Sequence, residues 1–486
     1  MYCIIPFPKK QVVYRILNPK NKTNSAENRR FFRAFYHLPI FPFFLAVLSP
    51  PCYNICRLNL EKYTLYPRFD SIYPGFPVIG DIPMKYFVLI PDGMADRPIP
   101  ALGNMTPMEK ADKPVMDALA ARSRCGTVLN VPKGMVPESD TANLAILSYD
   151  PKVYSKGRSP LEAMSLGLHM DPDDTAIRCN VVTLSEDTDV YEKRTIIDHS
   201  SGDITTEEAD QLVKALNEAL PMEGRMLHTG VSYRHCMIWK NADPTYNFER
   251  PHDHLGQVIG EFLPKEENGG AEFLEFMKKG CEVLEHHPVN EARRAKGLRP
   301  ANSPWLWSPG RKPALPSFSE KWGVNGAVVC AVDLIKGIGV CAGCDIYSVE
   351  GATGNFYTNY TGKGEAAVKA FADGHDFVYV HVEAPDECGH QGETEQKVES
   401  IEKIDREVLA PVLDYLRSTG EDFKILCLPD HPTPIEIRTH SPEPVPFFLY
   451  DSREDKTGTK FTEACCADMD DYVPVGSELL DDVIGK

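Results

Sequence analysis

Three stretches of this chain end an apolar run in groups that can hold a cation. FVLIPDG places Asp92 directly after such a run. FVYVHVEAPDECGH places Asp386 and His390 four residues apart. ILCLPDH places Asp430 beside His431, and His440 follows nine residues later. One aspartate after a strand is most simply a turn residue or a helix cap. Three such sites, two with an adjoining histidine, are harder to explain as turns. Carboxylate oxygen and imidazole nitrogen are donors that Mn, Mg or Zn accept. Two such ions about 4 Å apart would serve a phosphoryl displacement, stabilising both the attacking and the leaving oxygen.

That chemistry also needs a nucleophile. GMVPESDTAN carries Ser139 between an expected strand and an apolar helical run. At a helix N-terminus the free N–H groups and the dipole favour an anion, and a cation at the serine oxygen would make an alkoxide accessible. Position alone, however, favours Ser139 as an ordinary N-cap.

The elements that must position these residues follow an α/β pattern from Met84 onward. Strands are expected at 86–90, 126–131, 326–332, 377–382, 424–428 and 446–450, and helices at 113–122, 142–147, 206–219, 365–373 and 395–416. Nearly continuous apolar strands imply a sheet buried on both faces, as parallel sheets are. In open α/β sheets ligands gather beyond the carboxyl ends of the strands, where all three sites fall. Residues 156–311 are more polar and broken by proline, and read as a domain inserted into the first. They close with PANSPWLWSPG, a crossing segment in which Trp305 and Trp307 serve as packing. His252 and His254 have ligand-like spacing, but Pro251 points to a loop.

The chain has 486 residues and a net charge of −18, which argues against nucleic acid as a partner. Its 14 cysteines are mostly scattered singly, as in a reduced, cytoplasmic protein. Cys341-Ala-Gly-Cys344 has no second pair nearby to complete a zinc site. Residues 1–83 differ from the rest: their charge is +7, leaving −25 for residues 84–486. Their apolar run at 37–49 is short and holds two prolines, so no membrane span is expected. They read as an upstream extension without a fold. Oligomeric state is left open.

Taken together, Asp92-Gly93, the serine loop, Asp386-x-x-x-His390, Asp430-His431 and Thr439-His440 resemble the alkaline phosphatase superfamily. Within it, the segments PESDTANLAILSYDP, YRH, PANSPWLW, AVDLIKGIG and EAPDECGH resemble the archaeal-type branch of the cofactor-independent phosphoglycerate mutases. The resemblance runs from Met84 to the C-terminus. It implies an alkaline-phosphatase-like α/β fold, with a mostly parallel sheet flanked by helices and a smaller inserted α/β domain. The catalytic domain would comprise 84–155 and 312–486, and the substrate domain 156–311. Two divalent ions, Mn foremost, would be required, and no bisphosphoglycerate. Ser139 would become phosphorylated. Asp92, Asp430 and His431 would share one ion with Ser139, and Asp386, His390 and His440 would hold the other. Lys336 would touch the phosphoryl oxygens. Arg178, Asp198, Arg234 and His235, with Arg158 as a further candidate, would hold a small phosphorylated substrate. At His199 the chain departs from the branch, whose members often carry Arg there. The implied reaction interconverts 2- and 3-phosphoglycerate; the alternative is an ATP-dependent homoserine kinase of the same branch.

Overall fold

Each apolar run expected to be a strand is one. In the computed structural model, which describes residues 2–5, 12–15 and 84–485, they build an eight-stranded sheet. Its middle is formed by Phe377–Val382, Lys85–Pro91 and Phe423–Cys427, side by side and parallel. The first two are buried at every position, as their unbroken apolar sequence requires. Gly326–Val329 and Asp345–Ile346 extend the parallel part beyond Phe377–Val382. On the other side, Val445–Asp451 runs antiparallel to both Phe423–Cys427 and Arg124–Val128, and Tyr472–Val473 completes the edge. Apolar character reports burial and not direction, so the reversed strand is invisible in the sequence.

The helix Thr206–Ala219 begins where expected, capped by the Thr205 hydroxyl, which accepts from the Glu208 N–H. The long helix expected at 395–416 is Thr394–Lys403 and Ala410–Thr419 joined by a π-helical turn, Ile404–Leu409. Buried Asp405 in that turn accepts from the N–H groups of Val115 and Met116 at the start of the helix Pro114–Ala120. The irregular turn therefore serves to satisfy a neighbouring helix end.

Residues 174–311 form a second, antiparallel sheet. Asp174–Leu184 pairs with Ser303–Arg311 along one edge and with Arg234–Lys240 along the other, where Arg225–Val231 follows; Ile196–Asp198 pairs near its end. The helices Thr206–Ala219 and Ala271–Glu285 contribute to its apolar core. The segment expected only to cross between domains is thus a true strand. Its prolines are tolerated because Ser303–Arg311 pairs on one side only. Trp305 is buried in this core and donates to the Glu249 carbonyl.

Where the chain passes between the two sheets, outgoing and returning segments lie against each other. The Ser159 hydroxyl donates to the Ser308 carbonyl, and a Cβ at Gly310 would lie 2.2 Å from the Lys156 oxygen. The helix Ser159–Ser165 then packs on Asp333–Cys341 beside the large sheet.

Contacts divide the chain into Met1–Gly80 and Asp81–Lys486, so both sheets belong to one unit. In the other unit, Tyr2–Ile5 pairs antiparallel with Val12–Arg15. The rest of the expectation for residues 1–83, including the apolar run at 37–49, lies outside the described residues. Among the described residues no helix is long and apolar enough to cross a membrane.

Candidate metal centre

The three central strands end side by side, and each delivers its carboxylate to one point. Asp92 follows Pro91 directly, and Asp430 lies three residues beyond Cys427. Asp386 and His390 sit on the helix Ala384–Gln391, where spacing by four puts them on one face, with His390 Nε2 3.2 Å from Asp386 Oδ2. His440 Nε2 lies 3.4 Å from Asp386 Oδ1 and 3.0 Å from His390 Nε2. His431 Nε2 lies 3.7 Å from Asp92 Oδ1 and 3.5 Å from Asp430 Oδ2. All six expected ligands therefore come together. Asp386 also groups with Asp92 and His431, so it adjoins both sets.

Ser139 opens the helix Ser139–Ile146, but its hydroxyl does not cap it; Glu138 occupies the N-cap. The Ser139 Oγ instead lies 3.2 Å from His431 Nε2. The capping role that position alone favoured is thus corrected by the geometry.

A hydrogen-bonded frame fixes these groups. Asp430 accepts from the N–H groups of Gly93 and His431, and from Asn143 Nδ2 at 2.9 Å. Asn143 also donates to the Ser139 carbonyl and accepts from the Tyr379 hydroxyl. Thr433 donates to Asp386. Gly93 has φ of +60°, and a Cβ there would lie 2.6 Å from Asp386 Oδ1 and 2.5 Å from Thr433 Oγ1. Behind Thr433, the fully buried Lys397 donates to its carbonyl and to Asp96.

The donor set fits a cation. His390 Nδ1 lies 3.0 Å from the Arg438 carbonyl and His440 Nδ1 2.7 Å from that of Pro137. Carbonyls only accept, so in a neutral ring, the state that ligates a cation, each Nδ1 carries the proton and leaves its Nε2 lone pair for the ion. Asp92 Oδ1 is buried without a hydrogen-bond partner. Burial, reinforced by Asp430 and Asp386, pushes the Asp92 carboxyl well above its ordinary pKa. For Asp386, burial acts upward but His390 and His440 outweigh it and hold it well below the usual range. Asp386 in turn lifts His390 to about 9, whereas burial lowers His431. Gathering these carboxylates is costly without positive charge among them.

Several contributors were not foreseen: Asn143, Thr433, and above all His381 with Glu383 and Lys363. His381 is wholly buried, 3.5 Å from Asp92 and 3.8 Å from Asp430. Its one signal was an imidazole in an otherwise apolar strand.

The remaining expected residues have other partners. Lys336, on the helix Asp333–Cys341, is 3.6 Å from Asp333. Arg158 pairs with Glu138, the neighbour of Ser139, at 3.3 Å. Arg178 pairs with Glu162 and stacks on Trp307; burial, then repulsion from Arg158 and Arg234, lowers it to about 9. These three arginines form one electrostatic cluster. His235 does not join it. In the strand register Arg178 faces Cys236 and Cys179 faces His235, so alternation turns His235 to the opposite face of the sheet. Its Nδ1 accepts from the Gly230 N–H, and burial lowers it to about 4. Asp198 accepts from Ser200, Gly202 and Arg299, so its oxygens are already occupied. His199 packs edge-on to Tyr233 and His252. His254 stacks on Phe262, and neither it nor His252 belongs to a ligand group among the described residues. Cys341 and Cys344 are free thiols.

Known proteins resemble this chain over most of its length. The sequence profile of the 2,3-bisphosphoglycerate-independent phosphoglycerate mutases matches residues 120–290. A Geobacter sulfurreducens protein named as a probable enzyme of that kind is 46% identical over 369 residues, covering 76% of this chain and 90% of its own. One from Methanosarcina mazei is 45% identical over 382 residues, covering 78% and 94%. Among solved structures, a Pyrococcus horikoshii protein is 31% identical with a TM-score of 0.68 over 83% of this chain and 98% of its own. The cofactor-independent phosphoglycerate mutase of Thermoplasma acidophilum is 26% identical with a TM-score of 0.59, over 82% and 99%.

Proposed function

We propose that this chain, which belongs to the 2,3-bisphosphoglycerate-independent phosphoglycerate mutases, a family of isomerases, interconverts 2- and 3-phosphoglycerate through a phosphoserine at Ser139. The observation that carries this reading is the Ser139 hydroxyl, turned away from its own helix and 3.2 Å from His431 Nε2 among six cation donors. Asp92, Asp430, His431 and Ser139 would hold one divalent ion, and Asp386, His390 and His440 the other. The donors suit Mn, and also Mg or Zn. Such ions supply Lewis-acid stabilisation of the charge that develops on the phosphoryl oxygens.

The chain's own groups do the rest. Ser139 Oγ bonds to phosphorus as the bond from phosphorus to the glycerate oxygen breaks. The glycerate oxygen so freed takes up a proton, balancing the one the Ser139 hydroxyl gives up, and the glycerate turns while still bound. Its other hydroxyl then takes the phosphoryl group back, and Ser139 is restored. Residues 156–311 form the substrate domain, in which Arg158, Arg178 and Arg234 bind the anionic glycerate. Asp198 and His235 contribute by fixing the turns around it. Lys336 offsets phosphoryl charge. Exclusion of water protects the phosphoserine from hydrolysis.

The test is turnover of 3-phosphoglycerate without nucleotide, with and without Mn. Mutase turnover that needs the metal but no nucleotide is expected. ATP-dependent phosphorylation of homoserine without mutase turnover would overturn the reading.

A further inference from the structure

We infer that His381 is a ligand, through Nε2, to the divalent cation held by Asp92 and Asp430, and that Glu383 and Lys363 fix it in that role. The inference rests on the two-cation reading above.

The first observation is spacing. His381 Nε2 lies 3.5 Å from Asp92 Oδ2 and 3.8 Å from Asp430 Oδ2. These separations exceed a hydrogen bond to nitrogen, which spans about 2.7 to 3.2 Å. They are close to those of donors sharing one ion: bonds of about 2.0 to 2.2 Å to a common centre leave neighbouring donors roughly 3 to 3.6 Å apart, a range that includes the first and that the second slightly exceeds. His431, the family-implied ligand on the other side, has nearly the same separations from the same carboxylates, 3.7 and 3.5 Å. By distance, His381 is as well placed as His431.

The second observation is the proton. His381 Nδ1 lies 3.2 Å from Glu383 Oε1. That oxygen also accepts from the N–H groups of Ala331 and Val332, and Glu383 Oε2 accepts from Lys363 Nζ at 2.5 Å. An ionised carboxylate held by three such donors can only accept, so in the neutral ring that a cation would require the proton belongs on Nδ1. Nε2 then offers its lone pair between two carboxylates; neither ring nitrogen makes a conventional hydrogen bond, and the side chain is 0% exposed. A carboxylate behind a histidine whose far nitrogen faces anions is the arrangement that orients imidazole toward a metal.

Lys363 completes the assembly. Also fully buried, it donates to the His381 carbonyl at 2.9 Å and to Glu383, fixing backbone and carboxylate together. A buried Lys–Glu pair is an unreliable source of stability, and here it holds the ring on axis.

The experiment counts ring nitrogens coupled to Mn(II) by pulsed electron paramagnetic resonance, in the full chain with ¹⁵N-histidine as control, alongside Mn titration. The wild type should show two bound ions and four coupled imidazoles: His381, His390, His431 and His440. His381→Gln should lose one coupled nitrogen and bind one of its two ions about 10- to 100-fold more weakly. Glu383→Gln should weaken the same ion without changing the count. Two ions with three coupled imidazoles in the wild type, or an unchanged count in a folded His381→Gln, would overturn the inference while leaving the two-cation reading intact. A wild type that binds no Mn overturns both.

Discussion

The polar groups at the ends of the large sheet and those of the arginine cluster are prepared in opposite ways. At the large sheet, cation donors converge: the Nε2 atoms of His390 and His440 meet at 3.0 Å, and Asp92 Oδ1 has no hydrogen-bond partner. In the arginine cluster two of the three charges already have carboxylate partners, Arg178 with Glu162 and Arg158 with Glu138. The first region is preorganised, so a cation need move little there. In the second, an anion must displace carboxylates, and its affinity is the difference between old and new pairs. Metal affinity should therefore be separable from substrate affinity.

The strongest way to break that separation is Ser139→Ala. We expect turnover to fall by at least about 10⁴-fold, as loss of a nucleophile does, with Mn binding within a few-fold of the wild type. Full turnover would remove Ser139 from the mechanism. Gly93→Ala comes next. Its Cβ has no room beside Asp386 and Thr433, and its φ of +60° is strained for alanine. Misplacing a ligand by about 1 Å costs on the order of 10²-fold. Both turnover and Mn affinity should drop, and a change in KM alone would contradict the account. Arg178→Met sharpens the contrast from the other side. It should raise KM for phosphoglycerate about 10- to 100-fold, with kcat and Mn titration changed little.

The smallest effect on turnover is expected at Glu463, which accepts from the Asp96 N–H and the Thr106 hydroxyl. Burial raises its carboxyl to about 7. The native state thus holds this proton more tightly than the unfolded chain, whose carboxyl has the ordinary 4.5. Its stabilising contribution is complete below pH 4.5 and is lost as pH rises toward 7. Glu463→Gln should remove that slope, so the variant's Tm should gain on the wild type between pH 4.5 and 7.5, with turnover nearly unchanged. Parallel Tm curves would show that Glu463 ionises normally.

How legible each region was follows the same division. Runs such as FVYVHV need only burial to be read as strands, and the carboxylates beyond them lie at a place that sheet topology marks in advance. Asp174–Leu184 has a comparably buried backbone but carries Arg178 and Asn180, which break the apolar pattern. Ser303–Arg311 holds two prolines and reads as a loop until its edge position is known. The resemblance groups His235 with its neighbour Arg234, yet adjacency in a strand puts side chains on opposite faces. His381 hid for a different reason: one imidazole in an apolar strand looks like a core residue, and only the pairing of Phe377–Val382 with Lys85–Pro91 brings it to Asp92.

The crossing between the sheets has a mechanical consequence. Two chain segments pass there, and Ser159 to Ser308 and Gly310 against Lys156 clamp them to each other. The pair acts as a single double-stranded strap and not as two independent tethers. A protease that nicks one strand of the strap leaves the other continuous and the cut ends held beside it. Limited digestion should therefore yield fragments that separate in denaturant but migrate together under native conditions.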